Sequence, residues 1–139
     1  MQPKIIRRGW TNIIEIEDVG AVTIVTFLFK RILNEDGIII GIIGEQFRDL
    51  IENQEKKLIL VDWSNVELCS GAGLGKLIDL HFGCKKAGGK LVMCKVCKEI
   101  MEVFEITKLD KLFKIYDDVS TAKAALESLA APYARGEVF

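Results

Sequence analysis

The stretch Leu58-Ile59-Leu60-Val61-Asp62-Trp63-Ser64-Asn65-Val66-Glu67-Leu68-Cys69-Ser70-Gly71-Ala72-Gly73-Leu74-Gly75-Lys76-Leu77-Ile78 decides how this chain is read. Leu58 to Trp63 is an apolar run interrupted only by Asp62, the pattern of a strand covered on both faces. A short polar turn follows. Ser70 then precedes three small residues, and Leu74, Leu77 and Ile78 fall at helical spacing, so a helix is predicted from about Gly71 to Lys86. Small residues at a helix mouth leave the first backbone N–H groups bare, where the helix dipole favours negative charge and a partner can come close. A phosphate, a docked protein and a phosphoserine all suit such a mouth.

Working outward, Ala87-Gly88-Gly89 ends this helix, with Lys85 and Lys86 in its last turn matching the dipole. Lys90 to Cys94 reads as another buried strand. Glu99 to Ile106 reads as a short helix carrying Ile100, Val103, Phe104 and Thr107 on one side. Phe113 to Tyr116 is a last short strand, and Ser120 to Leu129 a terminal helix with Ala122, Ala125, Leu126 and Leu129 inward. Towards the N-terminus, Ile14 and Ile16 lead through Asp18-Val19-Gly20 into Val22 to Phe29, rich in β-branched and aromatic residues: two strands joined by a tight turn. Asn34-Glu35-Asp36-Gly37 breaks the pattern. From Ile39 the apolar positions Ile39, Ile43, Phe47, Leu50 and Ile51 mark a helix ending near Asn53. Strands alternating with helices imply a mostly parallel sheet with right-handed crossovers, made mixed by the opening hairpin.

At 139 residues the chain is expected to form one domain over residues 13–129, after an N-terminal segment 1–12 and before a mobile tail 130–139. Basic and acidic residues nearly cancel, 19 against 20, and no basic stripe with interleaved aromatics occurs, so nucleic-acid binding has little support and is not expected. The longest apolar blocks, Val22 to Phe29 and Ile38 to Ile43, fall far short of the ~18 residues that cross a bilayer. The N-terminus has no apolar core or cleavage site of a signal peptide. A cytoplasmic, water-soluble protein without membrane insertion is expected. Four cysteines, Cys69, Cys84, Cys94 and Cys97, are too few for a disulfide scaffold here and are expected reduced.

The order of elements, with Leu60-Val61-Asp62-Trp63-Ser64-Asn65-Val66 and Gly73-Leu74-Gly75-Lys76-Leu77 as anchors, resembles the STAS domain of bacterial anti-sigma factor antagonists. Ala87-Gly88-Gly89-Lys90-Leu91 and the run from Glu102 to Phe113 extend the likeness, which covers about Ile13 to Leu129. The resemblance implies an α/β STAS fold with a mixed, mostly parallel sheet of about four to five strands and helices packed on it. It also implies a non-enzymatic regulator of sigma-factor-dependent transcription, with no cofactor of its own. Its partner would be an anti-sigma factor, an ATP-binding serine kinase that phosphorylates the antagonist to block binding. In that family the helix mouth reads Asp-Ser-Ser-Gly-Leu-Gly and the first serine is the acceptor. Here the aspartate position is Ser70, the acceptor position is Gly71 and the second serine position is Ala72.

Ser70 is therefore read as a displaced phosphoacceptor, as the helix N-cap with its oxygen accepting from Ala72 or Gly73, or as both, since the two roles are not exclusive. Gly71, Ala72 and Gly73 lack both the P-loop and the dinucleotide fingerprint, so close approach by a protein outranks an anion cradle. Together with Ile32, Leu33 and Asn34 of the adjoining loop, Ser70 to Gly73 form the expected partner-binding patch. Cys94-Lys95-Val96-Cys97 beside His81 and Cys84 invites a metal or redox reading. A redox pair, however, sits at a helix start with a low-pKa leading thiol, whereas Cys94 ends a buried strand. His81 falls on the apolar side of its helix and is expected packed inside. No paired carboxylates or Ser/His/Asp set points to catalysis. The rivals to the antagonist reading are a STAS subunit of a membrane transport or lipid-trafficking complex and, behind it, a thiol oxidoreductase.

Overall fold

The computed structural model describes residues 3–8 and 11–129; the expected tail 130–139 lies outside them. Strands β1 (Lys4–Arg8), β2 (Thr11–Val19) and β3 (Val22–Phe27) form an antiparallel meander. Three parallel strands continue the sheet: β5 (Leu58–Asp62), β7 (Lys90–Cys94) and β8 (Lys114–Tyr116). The order β1-β2-β3-β5-β7-β8 gives a six-stranded mixed sheet, one strand more than the sequence suggests. The extra strand is β1, in the segment set apart from the domain, where two isoleucines among basic residues give a weak strand signal. A separate two-stranded parallel ribbon pairs β4 (Arg31–Ile32) with β6 (Leu68–Cys69).

Every residue of β5 is buried, as its apolar run requires of a central strand. On one face of the sheet lie α1 (Gly37–Arg48), α2 (Gly71–Lys86), α3 (Lys98–Ile106) and the short α4 (Leu109–Leu112); their core includes Phe47, Ile59, Val61, Leu77, Met93 and Phe104. On the other, α5 (Val119–Glu127) covers Val22, Leu58, Leu60, Val92 and Cys94 with Ala122 and Leu126. Alternation along β5 explains the division: Ile59 and Val61 point one way, Leu58 and Leu60 the other. Each fully buried Leu or Ile here is worth roughly 1.5–3 kcal/mol against exposure.

The helix expected from Ile39 begins at Gly37 and closes in a π turn, Asp49–Asn53, which keeps Leu50 and Ile51 inside. Two assignments on α3 need correction. Ile100 and Phe104 are its buried residues, with Met101 packed against the same core, while Val103 and the capping residue Thr107 are exposed. Nine residues at ~100° each leave Val103 at the margin of the buried stripe, facing outward past β6. Thr107 instead turns its hydroxyl back onto its own helix, donating to the Val103 carbonyl at 2.7 Å.

Candidate functional site

The mouth of α2 is built from below by the β4–β6 ribbon. The Lys30 carbonyl accepts from the backbone N–H groups of Glu67 (2.7 Å) and Leu68 (3.2 Å), and Ser70 N–H donates to the Ile32 carbonyl (2.8 Å). These bonds place Leu33 and Asn34 beside the first turn of α2, though 38 residues separate Asn34 from Ala72. Asp36 fixes the loop by accepting from Leu33 N–H at 2.8 Å.

Ser70 has extended backbone angles and caps the helix, its Oγ accepting from Gly73 N–H at 3.2 Å. Ala72 N–H donates to Asn34 Oδ1, also at 3.2 Å, and Leu74 N–H begins the helical ladder at the Ser70 carbonyl. Two of the three leading N–H groups are thus committed to side chains. The cap expected of Ser70 is present, and the first N–H groups are less bare than the small residues alone suggested. The structure shows that only Gly71 N–H lacks such a partner among the described residues.

The partner-binding candidates separate by depth. Asn34, Gly71 and Ala72 are exposed, Leu33 and Ser70 half-buried, and Ile32 (4% exposed) and Gly73 buried. A Cβ on Gly73 would sit 2.9 Å from both Cys69 Sγ and Ile32 Cγ2, so glycine is what lets the helix lie this close to the ribbon. At Gly71 an added Cβ meets nothing within 4 Å. Position 71, where the resemblance expects an acceptor, is therefore outward-facing and roomy, and it carries no side chain.

The cysteines do not form a redox pair. Cys94 lies against the α5 side of the sheet, while Cys97 packs at the edge of the opposite core. Burial pushes the thiols of Cys69 and Cys94 up to about 12 and that of Cys84 up to about 11, the reverse of a reactive thiolate. Among the described residues no group of three or more His, Cys, Asp or Glu side chains gathers as a metal site. His81 is half-buried between the rings of Phe82 and Phe113, at 5.3 and 5.4 Å. Burial, aided by Lys85, lowers its pKa, and its Nδ1 finds no partner among the described residues. No described helix is long and apolar enough to cross a membrane.

A mixed sheet with helices segregated this way, and a capped, small-residue helix mouth after the central strand, defines a fold class seen elsewhere. The STAS domain profile matches residues 20–122, and the chain belongs to the STAS domain family. A Thermotoga maritima protein assigned as an anti-sigma factor antagonist superposes with a TM-score of 0.72 at 22% identity, over 81% of this chain and 92% of its own. An anti-sigma-factor antagonist (STAS) domain protein from Planctomyces limnophilus gives 0.71 at 22% identity, over 82% and 97%. A sulfate transporter family protein from Wolinella succinogenes gives 0.66 at 14%, over 81% and 90%. Identities this low carry the fold and nothing further. No curated protein matches the chain in sequence.

Proposed function

We propose that this chain is an anti-sigma factor antagonist that binds its anti-sigma factor through the α2 mouth, and that it binds without a phosphorylation switch. The observation supporting the docking surface is the β4–β6 ribbon, which joins Leu33 and Asn34 to the exposed Gly71 and Ala72 in one neutral patch. Ile32 and Gly73 hold that patch from beneath rather than touching a partner. The absence of a hydroxyl at position 71 argues for constitutive binding. The neighbouring hydroxyl, on Ser70, already accepts a capping bond, and a kinase needs its target oxygen within near-attack distance.

Affinity capture from lysate of the source organism, with mass spectrometry of what is retained, tests the docking reading. Recovery of an anti-sigma factor supports it, and loss of that complex in Gly71→Arg places the contact. Recovery of a transport or lipid-trafficking subunit instead would replace it with the transporter-subunit reading, towards which the Wolinella likeness points. Intact-mass measurement after incubation with a captured kinase and ATP tests the second half. Unchanged mass supports constitutive binding; a phosphate that disappears in Ser70→Ala would overturn it.

A further inference from the structure

Beside the α2 mouth, β6 and α3 flank a groove that the docking patch does not include. Leu74, one turn into α2, forms its inner end, Ile100 and Val103 its α3 wall and Leu68 its β6 wall. Apolar surface is left uncovered along it: Leu68 is 47% exposed and Val103 39%. Ile106, at 82%, continues the same face, because Glu99, Val103 and Ile106 recur at four- and three-residue spacing on α3. Uncovered apolar residues grouped in this way gain from burial against an apolar partner side chain.

The two charged side chains lining the groove are both acidic, Glu67 on the β6 side and Glu99 on the α3 side. Exposed Glu102 and Glu105 add negative charge along α3, with Lys98 at its start and Lys108 just past its end. Neither Glu67 nor Glu99 forms an ion pair among the described residues. We propose that this groove takes an apolar side chain carried on a basic segment of the protein partner, and that Glu67 and Glu99 select that segment by charge. The proposal rests on the docking reading of the α2 mouth and names the chemistry of the partner there. A second copy of this chain does not fit, since a two-fold contact would bring the same glutamates face to face. An anionic lipid surface is repelled by the same charges.

The probe is a synthetic twelve-residue peptide alternating Leu with Lys and Arg, set against a counterpart alternating Leu with Glu and Asp. Each is titrated into the ¹⁵N-labelled full chain. The basic peptide is expected to shift the amide signals of Leu68, Leu74, Ile100 and Val103, and the acidic one to leave them unmoved. The double variant Glu67→Lys/Glu99→Lys, checked for an unchanged unfolding midpoint, is expected to bind the basic peptide at least about tenfold more weakly, the loss shrinking in high salt. Equal response to both peptides, shifts spread away from the groove, or full affinity in the double variant would overturn the proposal. An anti-sigma factor bound equally by parent and double variant removes the groove but keeps the docking patch. Charge-selective peptide binding with no anti-sigma factor captured does the reverse.

Discussion

Gly73 and Gly75 stand two residues apart on α2, and the same change to alanine is expected to stabilise the chain at Gly75 but not at Gly73. At Gly75 a Cβ meets nothing within 4 Å, so Gly75→Ala keeps the full propensity gain of a helix position, about 1 kcal/mol. At Gly73 the same gain is opposed by contacts at 2.9 Å with Cys69 Sγ and with Ile32 Cγ2. Atoms pack best at about 3.5–4.0 Å, so both neighbours must move by more than half an ångström. Ile32 is buried and held in the ribbon by the Ser70 N–H bond, which leaves it little freedom. Overpacking of this kind costs about 1–3 kcal/mol, so the net for Gly73→Ala runs from neutral to about 2 kcal/mol destabilising. Urea unfolding reads the difference directly. With a slope of about 2 kcal/mol/M, Gly75→Ala should raise the midpoint by about 0.5 M while Gly73→Ala lowers it or leaves it in place. A Gly73→Ala midpoint as high as that of Gly75→Ala would refute the reasoning, because the helix would then not be seated on the ribbon as described.

Gly71→Ser restores a hydroxyl in open space and should gain one phosphate by intact mass from a kinase-type anti-sigma partner and ATP, where the parent gains none. Thiol titration of the native protein at about pH 8 should show slow reaction at buried Cys84 and Cys94 and at half-buried Cys69, with Cys97 the first to react; fast reaction of those three would contradict their raised pKa values. The pKa of His81 is lower in the folded chain than its unfolded 6.5. The unfolded state therefore takes up the proton first, and stability should fall as pH drops through 6.5 towards the folded value. In His81→Phe that part of the pH dependence should vanish from the urea midpoints measured between about pH 7 and pH 5.

What the sequence disclosed follows how local each signal is. Helix α2 was legible to the residue because its start and end are set within a few positions, by the Ser70 cap and the Ala87-Gly88-Gly89 stop. Strand β5 was legible because a run buried on both faces needs no neighbour to be identified. The edge strand β1 was not, since its Lys-Ile-Ile-Arg-Arg sequence becomes a strand only by pairing with β2. The β4–β6 ribbon was hidden for the same reason: two-residue strands 37 positions apart carry no periodicity. The loop carrying Ile32, Leu33 and Asn34 was expected beside the α2 mouth, and the structure supplies the cause in the bonds to Lys30 and Ile32. Nothing local announced that Asn34 takes the Ala72 N–H, nor that Val103 turns outward.

That occupied N–H changes what the helix mouth is suited to. A phosphate is held at a helix start by several free donors acting together with the dipole, and here the serine and asparagine side chains take two of the three. What remains outward is a surface nearly without side chains: Gly71, Ala72 and, one turn on, Gly75. A protein settling there freezes almost no rotamers on this side, a saving of roughly 0.5–1.5 kcal/mol for each flexible side chain that would otherwise be immobilised. The capping bonds add to this by fixing the mouth before a partner arrives. Position 71 has room for a hydroxyl and none to offer, which is what the proposed constitutive binding rests on. On the proposed reading, occupancy of the anti-sigma factor is then set by how much of this chain is present, and the acidic groove beside the mouth decides which partner is taken.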